Sequence, residues 1–335
     1  MLARGLKALA LLTFFYPIRW AVQRLPWRWA LKLGSLLGHL HARVVPDQLT
    51  CHVRAGIQSV WPNEVSKAEL ERIVRLNLVT RYKHLIDGFF YQYLDAQLIE
   101  RMVPVIDNKC YLDATLNGGK GAILLVSHFG SFGMLIGGLA LRQYRLHQIF
   151  TLTPPPLYRT WHWVERAIMQ AKLRCWTHES VGFEFWRPGK YLRPLYRKLR
   201  EGEILVLYGD GARGRQFVSV DFMSCPLLLS VGPFRIAARA EVALIPAFIL
   251  RQADDCHRIV LEKPIALKGD DSASILQAAN QYAALLGHYV RTYPDHWFTW
   301  ARLRQGREND RPVLELVSGN VDGDDFYTAE KPQKA

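Results

Sequence analysis

Hydrophobic positions recur at two different periods along the chain, and the change between them predicts the order of helices and strands. The stretch "VSKAELERIVRLNLVTRYKHLIDGFF" (65–90) has apolar residues at three- and four-residue spacing behind a capping box of Ser66 and Glu69, which predicts a helix. A second helix is predicted over "SASILQAANQYAALLGHYVRTY" (272–293), which Pro294 must end. Continuous apolar runs predict buried strands at 121–126, 147–152, 203–208, 242–250 and 258–262.

Helix-length segments separate several of these strands, and that alternation predicts an α/β fold. We expect a mixed central sheet flanked by helices, preceded by an N-terminal, membrane-associated helical section. The predicted parts are anchor and interfacial helices over 1–45, an α/β domain over 46–305, and a polar, flexible tail over 306–335 that includes "VDGDDFYTAEKPQKA".

The N-terminal section has the pattern of a membrane anchor. The apolar run "ALALLTFFYPI" (8–18) is shorter than the roughly twenty residues that a spanning helix needs, and no clear cleavage site follows it. The next stretch, "LPWRWALKLGSLLGHLHARVVP", places tryptophans and basic residues around a leucine-rich face, which is typical of an interfacial amphipathic helix. An ordinary helix packed on the globular core is the alternative.

Composition narrows the class of partner. With 335 residues, 50% of them hydrophobic and 22% charged, the chain can bury a sizeable core and is not a disordered protein. A net charge of +13 predicts an anionic partner such as phospholipid headgroups, a phosphorylated glycolipid or an acidic carrier protein. No nucleic acid partner is expected, because the chain has no recognisable DNA- or RNA-binding motif. The five cysteines include no CxxC pair and indicate neither a disulfide framework nor a zinc site.

One histidine stands where a strand ends in a turn. In "LLVSHFGSFGML" (124–135), an apolar run leads to His128, and Ser131 in the following turn is a candidate substrate contact. A histidine at a strand end is more often structural than catalytic when it is taken alone. The segment lacks the G-x-S-x-G elbow of a serine hydrolase.

Basic residues cluster in two later stretches that are candidates for binding an anion. "RPGKYLRPLYRKLR" (187–200) places Lys190, Arg193 and Arg197 on one predicted helix face. "YGDGARGRQ" (208–216) puts Arg213 and Arg215 in a glycine-rich loop, whose backbone N–H groups can cradle a phosphate or an oxyanion. A solvated helix face and a plain surface turn are the respective alternatives.

The order of four motifs resembles the lipid A late acyltransferase family. The N-terminal stretch "RLPWRWALKLGSLLGHLHARVVP" is similar to the family's anchor and first helices, and "SHFGSFGML" resembles its catalytic segment. The block that starts at "LREGEILVLYGDGARG" and the late stretch "YPDHWFTW" are similar to two further conserved regions. The resemblance covers roughly residues 5 to 305.

This resemblance implies transfer of a fatty acyl group from an acyl-carrier-protein thioester to a hydroxyl of a lipid or glycolipid. It also implies a place at the cytoplasmic face of the bacterial inner membrane, among membrane phospholipids. His128 would be the general base, and the reaction requires no metal and no cofactor.

The catalytic segment departs from the family pattern at its acid. In that H-x4-D/E pattern an acid orients the imidazole, but Gly133 occupies the position here. Three explanations stay open: an acid from elsewhere orients His128, the enzyme uses the histidine alone, or the chain binds acyl carrier protein or lipid without transfer. Asp210 and Asp221 are the tentative replacement acids, with Glu241 a weaker one. If the missing acid impairs catalysis, Gly133→Glu should raise activity, provided that the backbone accepts a side chain there.

Overall fold

The computed structural model describes residues 9, 12–44, 48–149, 183–186, 193–212, 214, 216–308 and 311–317. Within them, both helices predicted from periodicity are present, and the Ser66 hydroxyl accepts the Glu69 N–H at 3.2 Å as the capping box requires. The α-helices are α1 (Arg19–Val22), α2 (Trp27–Val44), α3 (Gln48–Val60), α4 (Lys67–Phe90), α5 (Ala96–Met102), α6 (Lys109–Asn117), α7 (Phe132–Ala140), α8 (Arg193–Arg200), α9 (Gly232–Ala240) and α10 (Ser272–Thr292). Shorter turns are the π-helical Phe14–Ile18 and the 3-10 turns Tyr91–Tyr93, Pro294–His296 and Phe298–Arg302.

The central sheet is mixed, as predicted, with seven strands in the order β1-β9-β8-β2-β5-β3-β4. Only the β8–β9 pair is antiparallel among its described strands. Its members are β1 (Val105–Asp107), β2 (Ala122–Val126), β3 (Leu146–Ile149), β4 (Phe183–Trp186), β5 (Ile204–Tyr208), β8 (Ala243–Arg251) and β9 (His257–Leu261). All five strands predicted from apolar runs are found, although residues 150–152 of the second run lie outside the described residues.

Both faces of this sheet are buried, which is why its strands read as continuous apolar runs. In β2, Ile123 and Leu125 belong to the core on one face, whereas Leu124 and Val126 belong to the core on the other. Successive side chains of a strand point to opposite faces, so an unbroken run of apolar residues fills two cores at once. The middle of the sheet is thereby held rigidly, and the loops at its ends have a fixed base.

A second, four-stranded sheet extends the fold beyond the predicted boundary at residue 305. Its order is β10-β11-β7-β6, made by β6 (Phe217–Val220), β7 (Leu227–Ser230), β10 (Leu303–Glu308) and β11 (Arg311–Leu316). The predicted start of the polar tail at 306 is therefore wrong: β11 pairs with both β10 and β7, and residues 318–335 lie outside the described residues. Strand β7 contributes Leu227 and Leu229 to the core.

The N-terminal helices pack directly on the α/β domain. α2 approaches α4 closely, because a Cβ atom at Gly38 would lie 2.6 Å from the Cα atom of Val79. Its inner face is thus that of an ordinary packed helix, while Trp29, Leu36 and Leu40 on the outer face are exposed. In the part of the chain that the structure describes, every helix is too short or too polar to cross a bilayer.

Helix α3 makes an equally close contact with the segment that follows Pro294. A Cβ atom at Gly56 would overlap the carbonyl oxygen of Trp300, so only glycine fits at this point. We expect Gly56→Ala to lower the free energy of unfolding by about 1–3 kcal/mol, since the clash is with backbone that cannot rotate away. Thermal unfolding measures this as a lower midpoint temperature.

The control is Gly287→Ala on the buried side of α10, where the new methyl group would meet side-chain atoms at 3.7 Å or more. Alanine in a helix interior is favoured over glycine by roughly 0.5–1 kcal/mol, so this variant should unfold at or above the native temperature. An unchanged midpoint for Gly56→Ala would contradict the contact.

Candidate active site

His128 and Asp210 occupy equivalent positions on two neighbouring strands. β2 and β5 are parallel, and Val126 at the end of β2 is in register with Tyr208 at the end of β5. The chain continues from each strand by the same number of residues to reach His128 and Asp210. Both side chains therefore stand at the carboxyl edge of the sheet, where open α/β sheets bind their ligands.

The two side chains are directly hydrogen-bonded. Nδ1 of His128 lies 2.9 Å from Oδ1 of Asp210, and the backbone N–H of His128 donates to both carboxylate oxygens at 3.0 Å. A carboxylate on Nδ1 favours the tautomer with hydrogen on that atom, which leaves Nε2 as the basic nitrogen. Among the described residues, Asp210 is the acid that meets His128, as one of the three explanations requires.

Asp210 is fully enclosed and held by further donors. Its side chain is buried, and Oδ2 accepts hydrogen bonds from Trp297 Nε1 at 2.9 Å and from Thr299 Oγ1 at 2.7 Å. Burial alone would raise the pKa of Asp210, but the charge of a protonated His128 and the hydrogen bonds from His128, Thr299 and Trp297 outweigh it and lower that pKa. The carboxylate is therefore anionic at neutral pH.

Aromatic rings confine the imidazole of His128. The Tyr208 ring stacks on it with a centroid distance of 4.4 Å, and Phe132 meets it edge-on at 5.5 Å. The His128 side chain keeps 21% of its surface accessible, in contrast to the buried Asp210. Burial raises the pKa of the Tyr208 phenol, so that ring is neutral. The arrangement is a buried acid that orients a partly accessible imidazole.

The loop that carries His128 is paired with the segment after Pro294. The N–H of Phe298 donates to the His128 carbonyl and the N–H of Gly130 donates to the His296 carbonyl, both at 2.8 Å. Gly130 has a φ of +56°, and a Cβ atom there would overlap the carbonyl oxygen of Ile249. Glycine at 130 is thus required by both conformation and space.

The place that an acid at position 133 would need is occupied by Tyr91. A Cβ atom at Gly133 would overlap the Tyr91 hydroxyl and ring, so Gly133 makes room for this buried side chain. Burial and the nearby Asp87 charge raise the pKa of Tyr91 and keep it neutral. The space beside Gly133 therefore does not admit the side chain that Gly133→Glu would add, so we expect no gain of activity from the single substitution. A backbone φ that admits a side chain does not provide space for one.

A buried ion pair lies next to Tyr91. Asp87 on α4 is paired with Arg251 at the end of β8, and His257 Nε2 lies 3.3 Å from the same carboxylate oxygen. Burial would raise the pKa of Asp87, but the Arg251 charge outweighs it and lowers that pKa. Burial and the Arg251 charge lower the pKa of His257, so the imidazole is neutral. This ion pair joins α4 to the sheet behind the His128 loop.

The other predicted acids do not reach His128. Asp221 follows β6 on the surface, where its backbone N–H donates to Asn280 at 2.9 Å. Glu241 precedes β8, at the opposite edge of the sheet from His128, and its carboxylate lies 3.8 Å from Lys120. Of the three acids proposed from the sequence, the structure brings only Asp210 to the imidazole.

The predicted substrate contacts are placed less favourably. Ser131 is 1% exposed, and its Oγ lies 3.3 Å from His84 Nδ1, so it faces the interior. Arg193 and Arg197 are exposed on α8, but the carbonyl of Leu199 in the same helix accepts the N–H of Gly121 just before β2. The end of α8 therefore lies at the opposite edge from His128. Lys190, Arg213 and Arg215 lie outside the described residues.

Trp297 and Thr299 were not predicted as site residues, although "YPDHWFTW" was recognised as a motif. A signal for them exists: an indole N–H and a hydroxyl are both hydrogen-bond donors, and both lie in a stretch that carries the family resemblance. Tyr208 also carried a signal, because it is the last residue of an otherwise aliphatic strand. Nothing in the sequence indicated that Tyr91 fills the space beside Gly133.

Comparison with known proteins places this geometry in a family context. Residues 6–304 match the family described as "Bacterial lipid A biosynthesis acyltransferase". The chain is 31% identical over 160 residues to the phosphatidylinositol mannoside acyltransferase of Mycobacterium tuberculosis (strains CDC 1551 / Oshkosh and ATCC 25618 / H37Rv), which covers 45% of this chain and 44% of the relative. It is 25% identical over 231 residues to the protein of that name from Mycolicibacterium smegmatis (strain ATCC 700084 / mc(2)155), covering 67% and 70%. The match spans less than half the length of the Mycobacterium tuberculosis relatives.

The contact between Tyr91 and Gly133 predicts that an acid cannot simply be restored. Gly133→Glu should unfold at a lower temperature than the native chain, because the new side chain overlaps Tyr91 and adds a carboxylate near the buried Asp87 charge. Thermal unfolding is the measurement. The double variant Tyr91→Ala and Gly133→Glu removes the overlap. It should lose less stability than the sum of the losses measured for Tyr91→Ala alone and for Gly133→Glu alone. Strict additivity of the two losses would contradict the contact.

Proposed function

The chain belongs to the bacterial lipid A biosynthesis acyltransferase family, as its motifs predicted, and from that premise we propose that it transfers a fatty acyl group from a thioester to a hydroxyl of a lipid or glycolipid. The single observation that supports this most is the hydrogen bond of 2.9 Å between His128 and the buried Asp210. It supplies an oriented base at the carboxyl edge of the sheet.

In this mechanism His128 Nε2 takes the proton of the acceptor hydroxyl while its oxygen attacks the thioester carbonyl. The tetrahedral intermediate collapses by breaking the carbon–sulfur bond, and the thiolate receives the proton from the imidazolium. The products are an ester on the acceptor and a free thiol. Asp210 stabilises the imidazolium between the two proton transfers and does not itself become protonated.

The two alternative explanations are less well supported than catalysis with a distant acid. A histidine without an acid would be slower by about ten-thousandfold, by analogy with triads that lose their aspartate. The pair of His128 and Asp210 removes the reason to assume such a loss. A protein that only binds lipid or carrier would also have no need for a buried, anionic carboxylate directed at an imidazole.

The charge of the chain and the names of the relatives support a proposal for the donor and the acceptor. We propose an acyl-carrier-protein thioester as donor, an acidic partner for a chain with a net charge of +13. The relatives are named for phosphatidylinositol mannoside, so we propose a glycosylated phospholipid or related glycolipid as acceptor. Arg213 and Arg215 follow Asp210 closely in sequence, and we propose that they bind an anionic group of either substrate.

We further propose that the protein acts at the cytoplasmic face of the bacterial inner membrane and docks on phospholipid through its N-terminal helices. The surface in question, here called the aromatic–basic face, consists of Trp20, Arg24, Trp29, Lys32, Leu36 and Leu40. The Arg24 guanidinium lies 3.5 Å from the Trp20 ring centroid, and Lys32 Nζ lies 4.5 Å from that of Trp29. Exposed tryptophan and leucine beside cations suit the interface of an anionic membrane.

A cleft adjoins this face. It has a volume of about 470 Å³ and is lined by aromatic and basic side chains that include Trp27, Trp29, Tyr93 and Arg101. Its position next to the exposed tryptophans suits an amphiphile that enters from the membrane.

The activity is tested by thiol release from fatty acyl thioesters, with acyl carrier protein and coenzyme A as alternative carriers and a glycolipid acceptor. We expect His128→Ala to abolish release and Asp210→Asn to lower it by about a thousand- to ten-thousandfold, because the amide cannot stabilise the imidazolium. Lipid mass spectrometry on cells lacking the gene identifies the acylated product by its mass.

Matched controls are available on the same chain. His288→Ala changes an exposed histidine on α10, and Asp221→Asn changes the exposed acid that follows β6. Both should keep native rates. Equal product formation by the native chain and His128→Ala, at equal protein abundance, would overturn the proposed function.

Membrane docking is tested by sedimentation with vesicles of phosphatidylcholine and phosphatidylglycerol. Leu36→Glu on the aromatic–basic face should lower the bound fraction severalfold, because it removes an apolar contact and adds a charge that anionic lipid repels. Leu276→Glu is the control, since Leu276 is an exposed leucine on α10, a helix that is not part of the aromatic–basic face. Equal loss of binding in both variants would count against the aromatic–basic face as the docking surface.

A further inference from the structure

Residues 296–299, here called the clamp segment, contact both members of the His128–Asp210 pair at once. On the backbone side, the His296 carbonyl accepts from Gly130 and the Phe298 N–H donates to the His128 carbonyl, each at 2.8 Å. Phe129 and Trp297 form an antiparallel bridge between these two hydrogen bonds. The clamp segment is therefore joined to the loop that carries the imidazole by one β-bridge and its two flanking hydrogen bonds.

The side chains of the clamp segment reach the acid. Trp297 Nε1 and Thr299 Oγ1 both donate to the same oxygen of Asp210, Oδ2, at 2.9 and 2.7 Å. The other oxygen, Oδ1, is left to accept from His128 Nδ1. Two donors on one oxygen prevent the carboxylate from rotating, so the remaining oxygen has a single direction.

The clamp segment is itself fixed from the opposite side. Asn77 on α4 donates to the carbonyls of Asp295 and Trp297, at 2.9 and 3.1 Å, and is completely buried. Arg81, one turn further on, donates to the Phe298 carbonyl. A helix of the domain thus supports the segment, and the segment supports the pair.

We infer that Thr299 and Trp297 are positioning residues that set the direction and the basicity of Asp210 for the reaction, while the clamp backbone sets the place of His128. This inference rests on the proposed function and adds residues that the motif around His128 does not contain. With fewer donors the carboxylate would be held less firmly in this direction. It would also bind a protonated imidazole more strongly, because its negative charge is less satisfied.

The test compares Thr299→Val with Thr299→Ser and with Thr80→Val. Valine keeps the shape of threonine but cannot donate, whereas serine still can. Thr80 donates its hydroxyl to Asp295 at 2.9 Å, so Thr80→Val removes a comparable hydrogen bond next to the clamp segment without touching Asp210. Each variant is measured for kcat and KM of thiol release, for the pH dependence of kcat/KM, and for thermal unfolding.

We expect Thr299→Val to lower kcat about tenfold or more with little change in KM, because orientation is lost and substrate binding is not. The acid limb of kcat/KM should move to higher pH by about half a unit or more, since a less satisfied carboxylate holds the imidazolium more strongly. In Thr299→Ser and Thr80→Val, the acid limb of kcat/KM should stay at its native pH. A purely structural role would lower the unfolding temperature without moving the limb.

An NMR titration of the His128 imidazole on the same variants tests the clamp without requiring activity. A higher titration midpoint in Thr299→Val than in the native chain supports it, and a native midpoint with native kcat overturns it. If the native chain turns over no thioester, the proposed function is overturned. The titration would still test whether the clamp segment positions Asp210. Should Thr299→Val not fold, Trp297→Phe replaces it, with Trp300→Phe as control because Trp300 Nε1 donates to the Pro294 carbonyl instead.

Discussion

The buried carboxylate of Asp210 is the constraint on which the rest of the site depends. Removing a charge of this size from water costs several kcal/mol even after relaxation, and a protein recovers that cost only by surrounding the charge with well-directed donors. Here the donors come from two distant parts of the chain: the N–H and imidazole of His128, and the indole and hydroxyl of Trp297 and Thr299. The loop after β2 and the segment after Pro294 must therefore both be in place before the acid can be buried.

The same constraint explains how the site can lack an acid at position 133. Once β5 delivers a carboxylate in register with the end of β2, the space beside Gly133 is free for another use, and the Tyr91 ring fills it. The ion pair of Asp87 and Arg251 lies behind that ring and ties α4 to β8. Position 133 thus belongs to a packed, structural region, and the orienting acid belongs to the neighbouring strand. We propose that Asp210 takes the orienting role that the resemblance assigned to an acid at position 133.

The sequence predicted the helices and strands that are specified by short or periodic residue patterns. Buried strands such as β2 and β5 have continuous apolar sequences, and the capping box and helical periodicity of α4 predict that helix. Strands that are short or polar, such as β6 with "FVSV" and β10 with "LRQGRE", have no such signature and were missed. At the site, His128 and Asp210 were candidates, but the choice of Asp210 over Asp221 needed the strand register. The fit of Tyr91 to Gly133 joins residues far apart in sequence, so no local pattern contains it.

The central claim is that His128, oriented by Asp210, is the base that activates the acceptor hydroxyl. A crystal structure of the native chain with a thioether analogue of the acyl donor and a glycolipid acceptor tests this most directly. The account predicts the acceptor oxygen within about 2.6–3.2 Å of His128 Nε2, with Nδ1 still bonded to Asp210 and the analogue's carbonyl-equivalent carbon adjacent to that oxygen. An acceptor hydroxyl bound away from Nε2, or an imidazole that has turned from Asp210, would contradict it.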